Sequence, residues 1–126
     1  MKWEKETVER LHARVAEMTG GDPSLRSEAL LESALGQAYQ TFGGEELYKT
    51  EEEKAAALCR SLIGNHPFTD GNKRTGVLLL LTHLSLSGRR LTAENEDVIA
   101  LGLRAAEGKM TAEDILAWVF AHSARD

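Results

Sequence analysis

The chain has little of several features that stabilise or localise other proteins. Its single cysteine, Cys59, excludes a disulfide within the chain, suits a reducing cytoplasm, and follows an alanine-rich stretch that predicts a small core residue. Two prolines and no extended strand-like alternation favour an all-α fold class. The longest apolar run, residues 77–81, is far short of the about 20 residues that cross a bilayer, and the polar N-terminus lacks an apolar signal core. We therefore expect a cytoplasmic protein with no membrane association.

Positive charge is also limited. The net charge is −5 at pH 7, so no broad basic patch is available and we expect no direct nucleic-acid binding. Any phosphate that the protein binds must be held by a few local groups. The length of 126 residues, without a repeat, linker or low-complexity tract, predicts one domain over residues 1–126.

Apolar residues recur at helical spacing along most of the chain. The pattern predicts a single bundle of about six helices, near residues 3–18, 30–38, 50–63, 72–87, 92–108 and 111–123. Ser27, Thr50, Thr92 and Thr111 are suitable N-caps, and Thr50 with Glu53 makes a capping-box pattern. The leucines of the fourth helix fall on several faces, so we expect that helix to be central and buried.

The segment His66-Pro67-Phe68-Thr69-Asp70-Gly71-Asn72-Lys73-Arg74 places groups with distinct chemistry just before the fourth helix. A loop that opens into a helix leaves backbone N–H groups unpaired, which makes an anion site. Gly71 lets the backbone approach a ligand closely, and Lys73 and Arg74 add positive charge. Asp70 suits a Mg²⁺ ion that bridges a carboxylate to substrate phosphates, and His66 can accept a proton near neutral pH. These residues predict a nucleotide or phosphate-ester site with a general base.

Each of these side chains also has a structural interpretation. His66 could end the third helix, and Asp70 could cap the fourth. Lys73 and Arg74 could be a solvated pair, but cations at a helix start oppose the helix dipole, so an anionic ligand explains them better. We expect no zinc site, because no cysteine pair or His-Glu cluster completes a set with His66 and Asp70. Phe68 is expected to anchor the loop in the core.

The same segment resembles the signature of the Fic/Doc (Fido) superfamily, His-x-Phe-x-Asp/Glu-Gly/Ala-Asn-x-Arg, and matches every fixed position. Two details resemble the Doc, or death-on-curing, branch. Lys73 stands where adenylyl-transferring Fic enzymes usually have glycine, and Val77 stands where they carry a second arginine. Segments 28–35, 42–48 and 53–58 are also similar to Doc proteins, so the resemblance covers roughly residues 20–120.

The resemblance implies an all-α Fido fold and a toxin of a type II toxin–antitoxin system. Doc proteins transfer the γ-phosphate of ATP or another nucleoside triphosphate, with Mg²⁺, to a Thr or Ser hydroxyl of a translation factor, elongation factor Tu, and so inhibit translation. By this resemblance His66 is the catalytic base, Asp70 is catalytic as the Mg²⁺ ligand, and Arg74 is catalytic through charge stabilisation. The implied nucleotide-binding residues are Gly71, Asn72, Lys73 and Arg74.

The resemblance also implies how the activity is inhibited and where the target protein docks. Many Fic proteins carry an inhibitory Ser/Thr-x-x-x-Glu-Gly/Asn helix, and no Glu-Gly or Glu-Asn pair here has the required Ser or Thr. A separate Phd-like antitoxin is therefore the expected partner. Residues 42–49, around Gly43-Gly44, would form a flap that docks the target backbone as an added strand, with a plain connecting loop as the alternative.

Two other functions stay open. The same site could transfer AMP or another nucleotidyl group, as Fic-type adenylyl transferases do. The chain could also be a catalytically idle module that only binds a partner. His12, His83 and His122 are expected to be ordinary packed or surface side chains, with no part in the chemistry.

Overall fold

The computed structural model of the protein describes residues 2–126, which fold into an all-α bundle of six helices, as predicted. The helices are α1 (Lys5–Thr19), α2 (Glu28–Gly36), α3 (Glu51–Asn65), α4 (Asn72–Leu86), α5 (Asn95–Ala106) and α6 (Ala112–His122). A 3-10 turn, Gln37–Tyr39, follows α2. The short strands are β1 (Thr41–Phe42), β2 (Glu45–Glu46), β3 (Arg89–Leu91) and β4 (Ser123–Arg125).

Helix ends follow the capping pattern of the sequence in all but one case. The Ser27 hydroxyl accepts the Leu30 N–H, Thr50 and Glu53 form the expected capping box, and Thr111 accepts the Asp114 N–H. The prediction for Thr92 is wrong. The chain stays extended beyond β3, where the Thr92 N–H donates to the His122 carbonyl, and α5 is capped by Glu94 instead.

The expectation of no strands missed a small sheet near the C-terminus. β3 and β4 pair antiparallel, with Arg90 opposite Ala124. Both strands are held to the start of α3 by the buried carboxylate of Glu52, whose Oε2 accepts from Arg89 Nη1 at 3.0 Å and from Arg125 Nη2. Burial alone would raise the pKa of Glu52, but its hydrogen bonds, including those from the two arginines, lower it. Because the partners of Glu52 are more than 30 residues away in sequence, helical spacing cannot reveal this contact.

Helix α4 is central and buried, as predicted. Leu79 and Leu80 are fully buried, and the core divides into two apolar clusters to which α3 and α4 both contribute. These two helices pack closely at Gly76, where a Cβ would lie 2.8 Å from Ile63 Cγ1 and 3.3 Å from the Cys59 carbonyl. The two helices are therefore fixed against each other on either side of the connection from Asn65 to Asn72.

Residues 41–46 form a hairpin whose strand residues are exposed. β1 and β2 pair antiparallel, and the turn glycines have φ of +61° for Gly43 and +83° for Gly44, as a two-residue type I′ turn requires. Phe42 is 86% exposed. Among the described residues, no helix is long and apolar enough to cross a bilayer.

Candidate active site

The predicted motif forms the short connection between α3 and α4. His66 ends α3 in the left-handed conformation, with φ of +50°, and Gly71 caps α4 with φ of +80°. His66 is the one non-glycine with positive φ in residues 2–126, and this conformation costs about 1–2 kcal/mol. Its side chain is exposed. The helix-ending interpretation of His66 is thus correct, and it leaves the imidazole open to solvent.

The inner side of the loop is tied to the first turn of α4. Phe68 is 2% exposed and anchors the loop in the core, as expected. Asn72 bonds both backbone groups of Phe68: its Oδ1 accepts the N–H at 3.0 Å, and its Nδ2 donates to the carbonyl at 2.9 Å. Because both polar atoms of the buried Asn72 side chain are hydrogen-bonded to the loop, we expect Asn72 to meet a ligand mainly through its backbone N–H.

The outer side of the loop is held by the segment that precedes α2. The Arg26 guanidinium donates to the carbonyls of His66, at 2.8 Å, and Asn65, at 3.1 Å. The backbone N–H groups of Arg26 and Ser27 both donate to the Pro67 carbonyl. These bonds satisfy carbonyls that the end of α3 would otherwise leave unpaired. The sequence analysis did not find Arg26, because nothing local links it to a loop 39 residues away.

Helix α1 and the turn after it approach the loop at Asp70. His12 Nε2 lies 2.6 Å from the Asp70 carbonyl, and its ring stacks on Phe68 with centroids 3.7 Å apart. Gly21 lies beside the Asp70 carboxylate, where a Cβ would be 2.7 Å from Oδ2. From the sequence His12 was expected to be an ordinary packed or surface side chain, and Gly21 was given no role at the site. The Gly20-Gly21 pair was the available signal, since Gly20 alone, with φ of +73°, ends the helix.

All the predicted site residues line one polar cavity of about 380 Å³. Its lining consists of His66, Thr69, Asp70, Gly71, Asn72, Lys73 and Arg74. The amides of the first turn of α4 have no partner within the helix, so they add to the positive potential. In residues 2–126, neither Lys73 nor Arg74 pairs with a carboxylate. The cavity thus brings together an imidazole, a carboxylate and an anion site whose two cations form no ion pair with a carboxylate of the described residues.

Asp70 is the one carboxylate in the lining of this cavity. Its Oδ1 accepts the Gly71 N–H at 2.9 Å, but Asp70 does not cap α4, because the N-cap is Gly71 and no side-chain hydrogen bond caps this helix. Residues 2–126 hold no group of three or more His, Cys, Asp or Glu side chains arranged for a metal ion. One carboxylate is nevertheless what Mg²⁺ commonly takes from a protein when substrate phosphates and water supply the remaining oxygens. The donor set therefore fits a Mg²⁺ ion that arrives with a nucleotide.

An apolar groove of about 450 Å³ adjoins the polar cavity. It runs between α4 and α5, and its lining includes Val77, Leu78 and Ile99. Lys73 and Arg74 line both spaces, so they form the boundary between them. The aliphatic stem of Lys73 packs against α5, where a Cβ on Gly102 would lie 3.3 Å from Lys73 Cγ.

The other histidines and the cysteine lie outside this cavity. The buried His83 accepts at Nδ1 from Trp3 Nε1, at 2.9 Å, and its Nε2 lies 3.3 Å from Glu51 Oε1. Burial lowers the pKa of His83 and outweighs the opposing effect of Glu51. Burial also raises the pKa of the Cys59 thiol to about 12. His83 and Cys59 are therefore neutral packing groups at pH 7.

Sequence comparison with known proteins relates the segment that contains the motif loop to one family. The sequence model of the Fic/DOC family matches residues 2–84, which include α1, α2, α3, the motif loop and most of α4. A relative described as "Toxin Doc", from Mycolicibacterium smegmatis, is 39% identical over 75 residues. That match covers 60% of this chain and 58% of the relative's length. The motif loop therefore lies within residues 2–84, which the family model matches. The chain belongs to the Fic/DOC family.

Proposed function

We propose that the protein is a Doc-like toxin that transfers the γ-phosphate of ATP, or another nucleoside triphosphate, to a Thr or Ser hydroxyl of a translation factor. The observation that carries this proposal is the convergence of His66, Asp70 and the two unpaired cations at the start of α4. Phosphoryl transfer requires mainly positioning and charge neutralisation, which these groups can supply. The similarity to a Doc toxin adds support for the toxin role.

In this proposal the exposed imidazole of His66 takes the proton from the target hydroxyl. The Arg26 bond to the His66 carbonyl supports its left-handed backbone, and the imidazole lines the cavity. Arg74, Lys73 and the first-turn amides of α4 bind the phosphate oxygens and offset the charge that develops during transfer. Asp70 would hold Mg²⁺, which when bound neutralises phosphate charge and orients the triphosphate.

The target would dock along the hairpin of residues 41–46. Its backbone edges are short and its side chains exposed, which suits the addition of an extended segment as a further strand. Phe42, exposed on β1, would supply apolar contact. Elongation factor Tu is the target we propose, with cell growth arrest through loss of translation as the consequence, in the cytoplasm.

A Phd-like antitoxin would restrain the toxin. The apolar groove beside Lys73 and Arg74 is suited to an apolar helix face with an acidic residue near the cations. The antitoxin segment would be disordered when free and would fold on binding. Expression of the chain alone should therefore arrest growth, and co-expression of the antitoxin should restore it. Normal growth at confirmed levels of the wild-type protein alone would contradict this role.

A second candidate is nucleotidyl transfer, because the same cavity could present the α-phosphate to His66. The two reactions can be separated with ATP labelled at the γ- or the α-phosphate, incubated with Mg²⁺, the protein and purified elongation factor Tu. We expect label only from the γ position and a mass gain of one phosphate on the factor. Lys73 adds charge at the site, whereas Val77 is 8% exposed and offers no charge to orient a β-phosphate. Transfer of α-label would establish the second candidate instead.

The role of His66 can be tested without losing the fold. Asn tolerates the left-handed conformation better than most residues, so His66→Asn should keep the α3 end intact while removing the base. We expect a fall of at least about 10²-fold in transfer rate for His66→Asn and His66→Ala. His122→Asn is the matched control, since His122 stacks on Trp118 away from the cavity. Wild-type rates in both His66 variants would disprove the assignment.

A further inference from the structure

We infer that His12, which lies outside the motif by more than 50 residues, is a positioning residue that sets the place of Asp70 in the active site. The inference deepens the proposed function, on which its kinetic consequence rests. His12 does not line the cavity and is 1% exposed, so it cannot touch a substrate there. Its effect must pass through the loop.

The first observation is the hydrogen bond to the backbone of Asp70. A carbonyl oxygen can only accept, so His12 Nε2 must carry the hydrogen that it donates across 2.6 Å. The Asp70 carbonyl precedes the first helical bond of α4, which runs from the Thr75 N–H to the Gly71 carbonyl. The helix therefore gives this carbonyl no partner, and α1 supplies one.

The second observation is the fit of the ring itself. The imidazole lies parallel to the Phe68 ring, at 5° and with centroids 3.7 Å apart. A Cβ on Gly71 would lie 3.5 Å from His12 Nε2, so the ring packs directly against the turn that opens α4. Phe68 is in turn bonded to Asn72 through both backbone groups. His12 thus contacts the loop at Phe68 and Asp70 and lies beside Gly71.

Segment 24–27 and His12 hold different parts of the motif loop. The segment 24–27 holds the loop as far as Thr69, through bonds to Asn65, His66, Pro67 and Thr69. His12 is the side chain that bonds the Asp70 side, where the proposed Mg²⁺ ligand lies. Loss of its N–H should free the Asp70 peptide and misplace the carboxylate, while the amides of α4 and the two cations remain to bind the nucleotide. The turnover number should therefore fall more than the affinity.

The test compares three variants. His12→Phe keeps a ring to stack on Phe68 and removes the N–H, whereas His12→Gln keeps an amide donor near the position of Nε2. His83→Phe is the matched control, because it removes an equally buried imidazole at a distance from the loop. We would measure γ-phosphate transfer and the ¹⁵N relaxation of the loop amides, residues 69–72, in each protein.

We expect His12→Phe to lower kcat by about 10- to 10²-fold with less than about 3-fold change in the KM for ATP, the scale of a small misplacement. Its loop amides should become more mobile, and His12→Gln should recover most of both properties. His83→Phe should lose stability but keep kcat and loop order. The inference would be overturned if the loop amides of His12→Phe were as ordered as those of the wild-type protein. It would also be overturned if the loop of His12→Gln were as mobile as that of His12→Phe.

Two further outcomes are also decisive. If the wild-type protein transfers no phosphate, the proposed function fails, but the loop relaxation still decides the role of His12. If His12→Phe does not fold, the imidazole tautomer of the wild-type protein decides it, read from ¹H–¹⁵N correlations of the ring. Protonation at Nε2 supports the inference, and a ring protonated only at Nδ1 overturns it.

Discussion

The substitution Gly76→Ala measures how closely the two helices that carry the active-site loop are packed. In an exposed helix this change would stabilise the protein by about 1 kcal/mol, because alanine has the higher helix propensity. Here the new methyl would lie 2.8 Å from Ile63 Cγ1 and 3.3 Å from the Cys59 carbonyl. Ile63 is 3% exposed, so its side chain has little room to move away.

The balance between the gain in helix propensity and the cost of overpacking gives the expected change in the free energy of unfolding. Overpacking a filled core costs about 1–3 kcal/mol, and contact with backbone as well as side chain favours the upper part of that range. After the gain in propensity, Gly76→Ala should lower the free energy of unfolding by about 1–2 kcal/mol.

Gly102→Ala is the matched control within another helix. Its methyl would meet Lys73 Cγ at 3.3 Å, and the long lysine side chain can yield at little cost. That variant should be unchanged or more stable by up to about 1 kcal/mol. The measurement is the urea midpoint of both variants, at an m value of about 1–3 kcal/mol per M. A Gly76→Ala protein as stable as Gly102→Ala would refute the close packing of α3 on α4.

Three further predictions concern the site and the buried titratable groups. Gly21→Ala places a methyl 2.7 Å from Asp70 Oδ2 and should displace that carboxylate, so we expect at least about a 10-fold loss of transfer rate with little change in the urea midpoint. The folded-state pKa of His83 is lowered, so as the pH falls below its ordinary 6.5 the unfolded chain takes up the proton first, and stability should decrease by at most about 1.4 kcal/mol per pH unit from this group. Urea midpoints at pH 7.5 and 5.5 check this, and the decrease should shrink in His83→Phe. Because burial raises the pKa of the Cys59 thiol to about 12, native protein at pH 8 should resist alkylation by iodoacetamide, whereas protein in urea should react.

Much of the bundle could be predicted because its determinants are local. Apolar spacing and the caps at Ser27, Thr50 and Thr111 depend on residues a few positions apart, and the structure places the helix ends within a few residues of the predicted ones. The motif residues are also contiguous, so their convergence on one cavity follows from a single turn. Their catalytic roles stay predictions.

The supports of the loop could not be predicted in the same way. His12, Arg26 and Gly21 reach it from 39 to 58 residues away, and each is an ordinary residue type in its own segment. The sheet of β3 and β4 was missed for a similar reason, since its three-residue strands are too short for alternation to register. Thr92 was assigned as a cap because its type fits, whereas its backbone is already engaged by the end of α6.

The hairpin of residues 41–46 and the motif loop differ in how freely their lengths could change over generations. The motif loop is fixed by helices on both sides and by contacts from two further segments, so an added residue there would displace His66 or Asp70. Around Gly43 and Gly44 there is open space, with no atom within 4 Å of where a Cβ would stand. Lengthening such an exposed turn costs only about 0.6 kcal/mol for each doubling of its length. Under the proposed docking of the target on the hairpin, descendants of this sequence could therefore acquire new targets by altering the hairpin while inheriting the motif loop unchanged, and the same place is where a designer would graft a different recognition segment.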